Sequence, residues 1–86
     1  MKIFDFHWDI KTIAKIIDKH NVFPSEVEEV YQLDPLILSG QDLYYALGQT
    51  HAGRYLFVVF RKSAKHKIKI ISAREMTKTE KKRFKG

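Results

Sequence analysis

Apolar residues near the start of the chain recur at helical spacing. Between Ile10 and Ile17 they form one stripe, with Asp9 placed to cap the first turn and Asn21 able to adopt the left-handed backbone that ends a helix. The pattern predicts a first helix over residues 10–20.

A second, shorter helix is predicted directly after the first. Residues 25–28, Ser-Glu-Val-Glu, fit a capping box, and acids in a first turn favour the positive end of the helix dipole. Val27, Val30 and Tyr31 then share the edge that is expected to be buried. The Asp-Pro pair at residues 34–35 ends this helix.

The middle of the chain alternates between apolar segments and turn residues, which is the pattern of strands joined by short connections. Such connections make neighbouring strands antiparallel. The predicted strands are residues 36–38, 43–47, 55–61 and 67–73. Residues 55–60 are apolar at every position, so this strand is predicted to be central and covered on both faces. In the last strand isoleucine alternates with Lys67 and Lys69, which predicts one core face and one partly wet, basic face.

The chain ends in a predicted basic helix. Residues 77–80, Thr-Lys-Thr-Glu, form a second capping box, and one face of the helix then carries four lysines at helical spacing. These are Lys78, Lys81, Lys82 and Lys85. Together the elements predict an α+β fold in a single domain over residues 1–86: two N-terminal helices, an antiparallel sheet of about four strands and a basic C-terminal helix.

Charge is divided unevenly along the chain. Residues 54–86 contain twelve Lys or Arg and two acids, a net +10, whereas residues 1–53 contain four and eight, a net −4, so the formal total is +6. A split of this size gives one side of a domain a field that attracts polyanions. The lysine face is also consistent with simple solvation or with an acidic protein partner. Lysines spaced four apart nevertheless repel one another unless an anion lies against them, and nucleic-acid phosphate is the first anion to consider.

Composition argues against several other classes of protein. The chain has no cysteine, which removes disulfides and thiolate chemistry and suits a reducing cytoplasm. Its longest apolar run is six residues, 55–60, against the roughly 20 that a membrane-spanning helix needs, and its first residues do not resemble a signal peptide. The sequence has no Gly-rich phosphate loop, dinucleotide fingerprint or Ser-His-acid pattern. We expect no cofactor and no membrane association.

Arginines at strand ends are the first candidates for phosphate binding. Arg74 ends a predicted strand just before a capped helix begins, and its planar fork suits bidentate phosphate binding beside backbone N–H groups. A salt bridge to Glu75 or to an acid from the first two helices is the alternative. Arg54 and Arg61 bracket the predicted central strand and are candidates for the same surface. Glu80 is either a proton acceptor or simply the reciprocal member of the capping box.

Four histidines are candidates for proton transfer or metal binding. His7 and the acid two positions later have a possible ligand spacing, but no third ligand lies near them in sequence, so no metal site is expected. His51 and His66 fall in predicted turns and are expected to be exposed. His20 closes the first helix, where it either transfers protons near neutral pH or caps the helix dipole.

Several short motifs occur together in the order and approximate spacing of one toxin family. The most specific is residues 70–74, Ile-Ile-Ser-Ala-Arg, preceded by the Gly-Arg pair of residues 53–54 that opens a strand. The others are residues 6–9 (Phe-His-Trp-Asp), 19–22 (Lys-His-Asn-Val), 33–35 (Leu-Asp-Pro) and 47–48 (Leu-Gly), Val58 with Val59, Ile68, and Glu80 with Phe84. Over nearly its whole length the sequence resembles the BrnT toxins.

The resemblance implies both a fold and a function. BrnT proteins are ribonuclease toxins of bacterial type II toxin-antitoxin modules and are related in fold to the RelE-like ribonucleases. Their antitoxin, BrnA, carries a ribbon-helix-helix DNA-binding domain, and the complex represses its own operon. By resemblance, this chain is expected to be a cytoplasmic endoribonuclease with RNA as its substrate, a BrnA-like antitoxin as its partner, and operator DNA contacted only through that antitoxin.

The sequence departs from the family pattern at two places. Asn21 stands where the family usually has Gly, a change that a left-handed helix end tolerates. The family usually has a longer loop after Asp-Pro, with a His-Ser pair, and an Arg two places into the next strand. Here the loop is residues 39–42 and Leu43 takes the Arg position. If the missing polar groups bind or cleave RNA, this copy is expected to be weaker, altered in preference or inactive.

A metal-free mechanism would use the neighbouring 2′-hydroxyl as nucleophile, and it requires proton removal, charge stabilisation at phosphorus and protonation of the leaving oxygen. We expect Arg74, Arg61 and Lys19 to stabilise charge, and His20 or Glu80 to transfer the proton. The RNA-binding candidates are Arg54, Lys67, Lys69, Lys78, Lys81, Lys82 and Lys85. The alternative is a non-catalytic module whose basic helix binds nucleic acid or an acidic protein.

Overall fold

A five-stranded mixed sheet organises the fold. The computed structural model describes residues 5–64 and 67–86. Along the chain the elements are β1 (Asp5–His7), α1 (Ile10–His20), α2 (Pro24–Gln32), β2 (Leu36–Ser39), β3 (Tyr44–Gln49), β4 (Tyr55–Ala64), β5 (Lys67–Glu75) and α3 (Lys78–Lys85). Across the sheet the strand order is β1-β5-β4-β3-β2. The predicted α+β class is confirmed, and β4 is the central strand as expected.

The sheet has one strand more than the four that the sequence predicted. β1 contains three residues and pairs in parallel with β5, which places Phe6 opposite Ile68 and His7 opposite Lys69. From β2 to β5, neighbouring strands are antiparallel, as their short connections predicted. A strand of three residues is too short to show an alternating pattern, and its partner lies near the other end of the chain. Sequence spacing alone therefore did not reveal it.

The first and last helices have the caps that the sequence predicted. Asp9 Oδ1 accepts a hydrogen bond from the Lys11 amide, at 2.8 Å, and Asn21 takes left-handed backbone angles at the other end of α1. In α3 the Thr77 hydroxyl and the Glu80 carboxylate make the two reciprocal bonds of a capping box. Among the described residues, the structure contains no helix that is long and apolar enough to span a membrane.

The second helix begins differently from the prediction. Its first residue is Pro24, so Ser25 lies inside the helix and does not cap it. The carboxylate of Glu26 accepts the Phe23 amide at 3.0 Å, which closes the first turn. Proline explains the shift, because its fixed φ is already helical and its missing N–H would have had no partner at that position. The predicted buried edge of α2 is confirmed.

Both N-terminal helices pack on one face of the sheet, which we call the core face. Gly48 of β3 lies there under α2, and a Cβ at this position would stand 2.9 Å from Val30 Cγ1, so glycine allows the helix to approach the strand closely. The buried cluster on this face is Ile16, Val22, Val27, Val30, Tyr31, Ala46, Leu56, Val58, Phe60, Ile68, Ile70 and Ala73.

A β-bulge keeps β5 in phase with this core. Val59 lies opposite Ser72 whereas its neighbour Phe60 lies opposite Ile70, so Ile71 is an extra residue with no partner in the register. The bulge allows Ile70 and the residue three positions later to face the same side of the sheet. Lys15 of α1 donates its Nζ to the Ile71 carbonyl at 3.0 Å, which satisfies a backbone acceptor at the irregularity.

The opposite face of the sheet is only partly covered, so the prediction that β4 is buried on both sides was wrong. Tyr55, Phe57 and Val59, which alternate with the core residues of β4, are half-buried. α3 lies across one end of this face, where the ring of Phe84 meets Tyr55 edge-on with a centroid distance of 6.1 Å. We call this side of the sheet the open face.

Arg54, the residue before β4, joins both N-terminal helices to the sheet. Its Nη1 donates to the Asn21 carbonyl at 2.7 Å and to Glu26 Oε1 at 2.9 Å, and its Nη2 donates to the His20 carbonyl at 3.4 Å. Its Nε donates to Glu75 Oε2 at 3.1 Å. Burial alone would lower the pKa of Arg54, but its hydrogen bonds to the two carboxylates outweigh that effect and raise the pKa.

We expect Arg54→Gln to lower the free energy of unfolding by about 2–3 kcal/mol, because it leaves Glu26 and two helix-end carbonyls without a charged donor. The Arg54 and Glu26 side chains are only 23% and 22% exposed, so solvent replaces the lost bonds poorly. Arg61→Gln, the same change at an exposed position of β4, is the control and should cost less than about 0.5 kcal/mol. Urea denaturation followed by circular dichroism measures the free energy of unfolding of both variants. Equal losses would contradict the role of Arg54 in joining the helices to the sheet.

Candidate active site

The register of β4 and β5 determines which side chains meet on the open face. Residues directly opposite one another in neighbouring strands project on the same side of a sheet. Starting from the end covered by α3, the successive rows are Arg74 with Phe57, Ser72 with Val59, and Lys69 with Arg61. The face therefore has an arginine at one end and a pair of cations at the other.

Arg74 and Glu80 form a two-bond ion pair at the first of these rows. Nη1 and Nη2 of Arg74 donate to Oε1 and Oε2 of Glu80, each at 2.8 Å, and Nη1 also donates to the Glu75 carbonyl at 3.0 Å. The guanidinium carbon lies 4.4 Å from the ring centroid of Phe57. The fork is thus fixed from its tip by a carboxylate and from one face by an aromatic ring.

The ion pair leaves one edge of the Arg74 fork available. A guanidinium has five N–H donors, and three of those of Arg74 are bonded. Within residues 5–64 and 67–86, the Nε hydrogen and the second Nη2 hydrogen, which share the side edge, have no protein acceptor. The Arg74 side chain is 37% exposed. A phosphate can therefore bind along this edge while Glu80 stays in place.

Glu80 is held in its ionised form. Hydrogen bonds from Arg74 keep the pKa of Glu80 below its ordinary value of 4.5, and they outweigh the opposing effect of burial. The same hydrogen bonds raise the pKa of Arg74. At neutral pH this carboxylate can orient the guanidinium and accept a proton, but it has no proton to donate.

The residues predicted from the sequence fall into two groups on the structure. Lys19 and His20 form the last turn of α1, and Arg54 bonds the His20 carbonyl as well as Glu75, so this helix end lies at the same end of the sheet as Arg74. α1 packs on the core face, however, whereas Arg74 projects on the open face. Arg61 stands four positions along β4 from Phe57, about 13 Å away at strand spacing. The structure therefore does not bring Arg61 next to Arg74.

The predicted RNA-binding cations also differ in their surroundings. The guanidinium of Arg54 is already hydrogen-bonded to the ends of α1 and β5 and to the start of α2. All four predicted lysines of α3 are exposed, and two of them, Lys81 and Lys85, place their Nζ atoms 5.3 and 5.2 Å from the centroid of the Tyr55 ring. Lys67 and Lys69 follow one another on the open-face side of β5, where Lys67 is exposed and Lys69 half-buried. Two lysines of the helix therefore lie near an aromatic ring while they remain accessible to solvent.

The histidines do not assemble a metal site in the described part of the chain. His51 is exposed, and its amide donates to Glu29 Oε1 at 3.0 Å. His7 is exposed on β1, and His66 lies outside the described residues. Among residues 5–64 and 67–86, no three His, Asp or Glu side chains are grouped as metal ligands would be.

Sequence reasoning did not single out Tyr45 or Phe57 of the open face, and it considered His7 only as a possible metal ligand. Tyr45 of β3 stacks on Phe57, with centroids 5.4 Å apart and planes inclined by 28°. His7 lies in the row of Lys69 because β1 pairs with β5. The aromatic pair was missed because a fully apolar strand was taken to be covered on both sides. His7 was not placed there because its strand was not predicted.

The fold is thus a mixed sheet with two helices on one side and, on the other, a capped basic helix beside the Arg74–Glu80 pair. The crystal structure of the ribonuclease toxin BrnT from Brucella abortus has this fold: it matches with a TM-score of 0.73 and 18% sequence identity, over 87% of this chain and 99% of that one. The family model described as "Ribonuclease toxin, BrnT, of type II toxin-antitoxin system" matches residues 8–80. The chain belongs to the BrnT family, which confirms the resemblance. A search of curated proteins found no match.

The ion pair predicts a pH dependence of stability. Because Glu80 has a lower pKa in the folded than in the unfolded chain, its contribution to stability is complete above about pH 4.5 and is lost as the pH falls through the lower native pKa. We expect Glu80→Gln to have a shallower loss of stability with acid than the unaltered protein. Arg74→Gln should behave in the same way, because it removes the same pair. Urea denaturation between neutral and acid pH measures this, and an unchanged acid dependence in both variants would contradict it.

Proposed function

We propose that this chain is a metal-independent endoribonuclease that cleaves RNA through its own 2′-hydroxyl, acting in the cytoplasm as the toxin of a type II module. Membership of a ribonuclease-toxin family supports the substrate. The observation that carries the chemistry is the Arg74–Glu80 pair, which fixes a guanidinium on an open, basic face and leaves an edge available for phosphate.

In the proposed reaction the 2′-oxygen forms a bond to the adjacent phosphorus and the bond from phosphorus to the 5′-oxygen breaks. The products are a 2′,3′-cyclic phosphate and a 5′-hydroxyl. Arg74 binds the equatorial oxygens, whose negative charge grows in the transition state, and Glu80 keeps the guanidinium oriented. The 2′-hydroxyl proton passes to Glu80 or to His20, and the leaving oxygen receives a proton from a protonated His20 or from water.

The other predicted residues are assigned to binding. We propose that Lys19 supports the charge at the Arg74 end of the sheet. Arg61, with Lys67 and Lys69, contacts a phosphate further along the strand, since it stands about 13 Å from the Arg74 row. The lysines of α3 attract the RNA backbone. Arg54 has a lesser part, because its donors already serve the helix joint.

We further propose that a BrnA-like ribbon-helix-helix antitoxin neutralises the toxin by covering this face, and that operator DNA is reached only through the antitoxin. The alternative function is a non-catalytic module that binds nucleic acid or an acidic protein. The saturation of the Arg74 fork tip by Glu80 favours this second function. Incubation of purified protein with RNA in EDTA separates the two, because only the nuclease produces fragments.

Arg74→Ala should slow RNA cleavage by about 100- to 1,000-fold, the usual cost of losing one preorganised group that stabilises transition-state charge. Arg74→Lys should recover little of the rate, because an ammonium keeps the charge but lacks the fork and its stack on Phe57. Fragment formation in the presence of EDTA is measured by gel electrophoresis. Arg83→Ala, at an exposed position of α3, is the matched control and should cleave normally.

Two results would count against this mechanism. Cleavage that requires added magnesium would replace the 2′-hydroxyl reaction with a metal-assisted one. Normal cleavage by folded Arg74→Ala would remove this residue from the mechanism. Cleavage products that end in a 2′,3′-cyclic phosphate would support it.

Changing Lys78, Lys81 and Lys82 together to Gln should weaken RNA binding and flatten its salt dependence. Each lost contact to a phosphate of single-stranded RNA removes about 0.7 from the slope of log K against log salt concentration. Binding titrations at several salt concentrations measure the slope. Lys11→Gln, an exposed lysine of α1, should leave it unchanged. An unchanged slope in the triple variant would mean that the lysine face serves solvent or the antitoxin.

A further inference from the structure

Tyr45 and Phe57 form a stacked aromatic pair on the open face, directly beside Arg74. The rings come from neighbouring strands, with centroids 5.4 Å apart and planes inclined by 28°. Phe57 also lies against the guanidinium of Arg74, at 4.4 Å. Arg74 lies directly opposite Phe57, and Tyr45, which lies opposite Val59, reaches Phe57 diagonally, so the three flat groups contact one another in series across β5, β4 and β3. All three residues are half-buried.

The position of this pair differs from that of the other aromatics. Phe6, Tyr31, Phe60 and Tyr44 join edge to face or stack on the core side, where they fill the space between the sheet and the helices. Tyr45 and Phe57 are on the opposite side of the sheet, beyond the Tyr55 row where α3 lies. Packing against the helices of the core does not account for their rings.

The Tyr45 ring is held in position at both sides. Phe57 supports one side, and the backbone of Gly40 approaches its hydroxyl end so closely that a Cβ at Gly40 would lie 3.3 Å from Tyr45 Cε2. The turn that carries Gly40 is itself closed by a 2.7 Å hydrogen bond from its amide to the Leu43 carbonyl. A ring that is already fixed loses little freedom when a second flat group stacks on it.

We propose that Tyr45, supported by Phe57, is a stacking platform for an unpaired base of the RNA whose phosphate binds Arg74. This inference rests on the proposed function and adds a binding subsite to it. Charge complementarity selects the ligand: Tyr45 lies in the row of Val59, between the Arg74 row at one end of the open face and the row of Lys69 with Arg61 at the other. Flat aromatic rings flanked by cations match the alternation of base and phosphate in a single strand.

The test compares two short single-stranded oligonucleotides in binding titrations with the intact protein. Both carry 2′-fluoro riboses, which cannot attack the phosphate, and they differ only in whether the internal positions carry 2-aminopurine or are abasic. Loss of one stacked base costs about 5-fold to about 150-fold in affinity. The unaltered protein should therefore prefer the base-bearing strand by such a factor and should quench its 2-aminopurine fluorescence.

Variants assign that preference to the rings. Tyr45→Leu and Phe57→Leu should lose both the preference and the quenching while keeping the salt dependence, and Tyr45→Phe should retain them. Tyr44→Leu makes the matched change one position away on the core side, where Tyr44 stacks on Phe60, and should retain the preference. Thermal unfolding of each variant confirms that the protein is folded at the temperature of the titration.

The outcomes separate the platform from the nuclease. If the unaltered protein binds both strands equally, or if folded Tyr45→Leu keeps the preference, the platform is overturned while the proposed function stands. If Tyr45→Leu keeps the preference but binds the antitoxin more weakly, these rings serve the protein partner and the platform is again overturned. If the unaltered protein neither binds nor cleaves RNA, the proposed function and the platform are overturned together.

Discussion

The guanidinium of Arg54 is the interaction on which the arrangement of helices and sheet depends. Its N–H groups bond the end of α1, the start of α2 and the end of β5, and Arg54 itself lies directly before the central strand β4. Carbonyl oxygens at the end of a helix carry partial negative charge, and a carboxylate near the start of the next helix carries a full one. A single fixed cation can therefore donate hydrogen bonds to both. The joint places the last turn of α1, with Lys19 and His20, at the Arg74 end of the sheet.

The second constraint is the unequal use of the two faces of the sheet. The helices α1 and α2 cover the core face, and the bulge at Ile71 keeps both ends of β5 in contact with that core. α3 is short and mostly polar, and it lies on the other face at Tyr55 through Phe84 and its ion pair from Glu80. Because both amphipathic helices of this small protein pack on one side of the sheet, aromatic and basic groups stay accessible on the other side. The open face is a consequence of how few apolar elements this chain has.

Much of this architecture could be predicted from local chemistry. Caps at Asp9, Asn21 and Thr77 depend on residues within a few positions of one another, so spacing alone was sufficient. The start of α2 was misplaced because two acids, Glu26 and Glu28, stood at capping distance from different residues, and Pro24 decided between them. Such local conflicts are resolved by backbone geometry that a capping pattern does not include.

The candidate site was less accessible to sequence reasoning because its geometry depends on pairing between distant segments. Arg74 and Glu80 were each identified, but the pairing between them was not: the acids considered as partners of Arg74 were Glu75 and those of the first two helices, whereas the structure shows both oxygens of Glu80 bonded at the tip of the fork. His7 joined the row of Lys69 only through a parallel pairing between the two ends of the chain. An apolar run such as residues 55–60 does not indicate whether a helix covers the second face of the strand.

Two departures from the family pattern, the short loop of residues 39–42 and Leu43, lie next to Tyr45 on this surface. The short loop of residues 39–42 ends beside Tyr45, and Gly40 is the residue whose missing side chain makes room for that ring. Leu43, which takes the position of the usual Arg, is half-buried and adds no charge there. This end of the open face therefore presents aromatic surface, while the cations are concentrated on β5 and α3. A ligand that spans both ends must combine flat apolar groups with closely spaced anions, and single-stranded RNA combines them at every nucleotide.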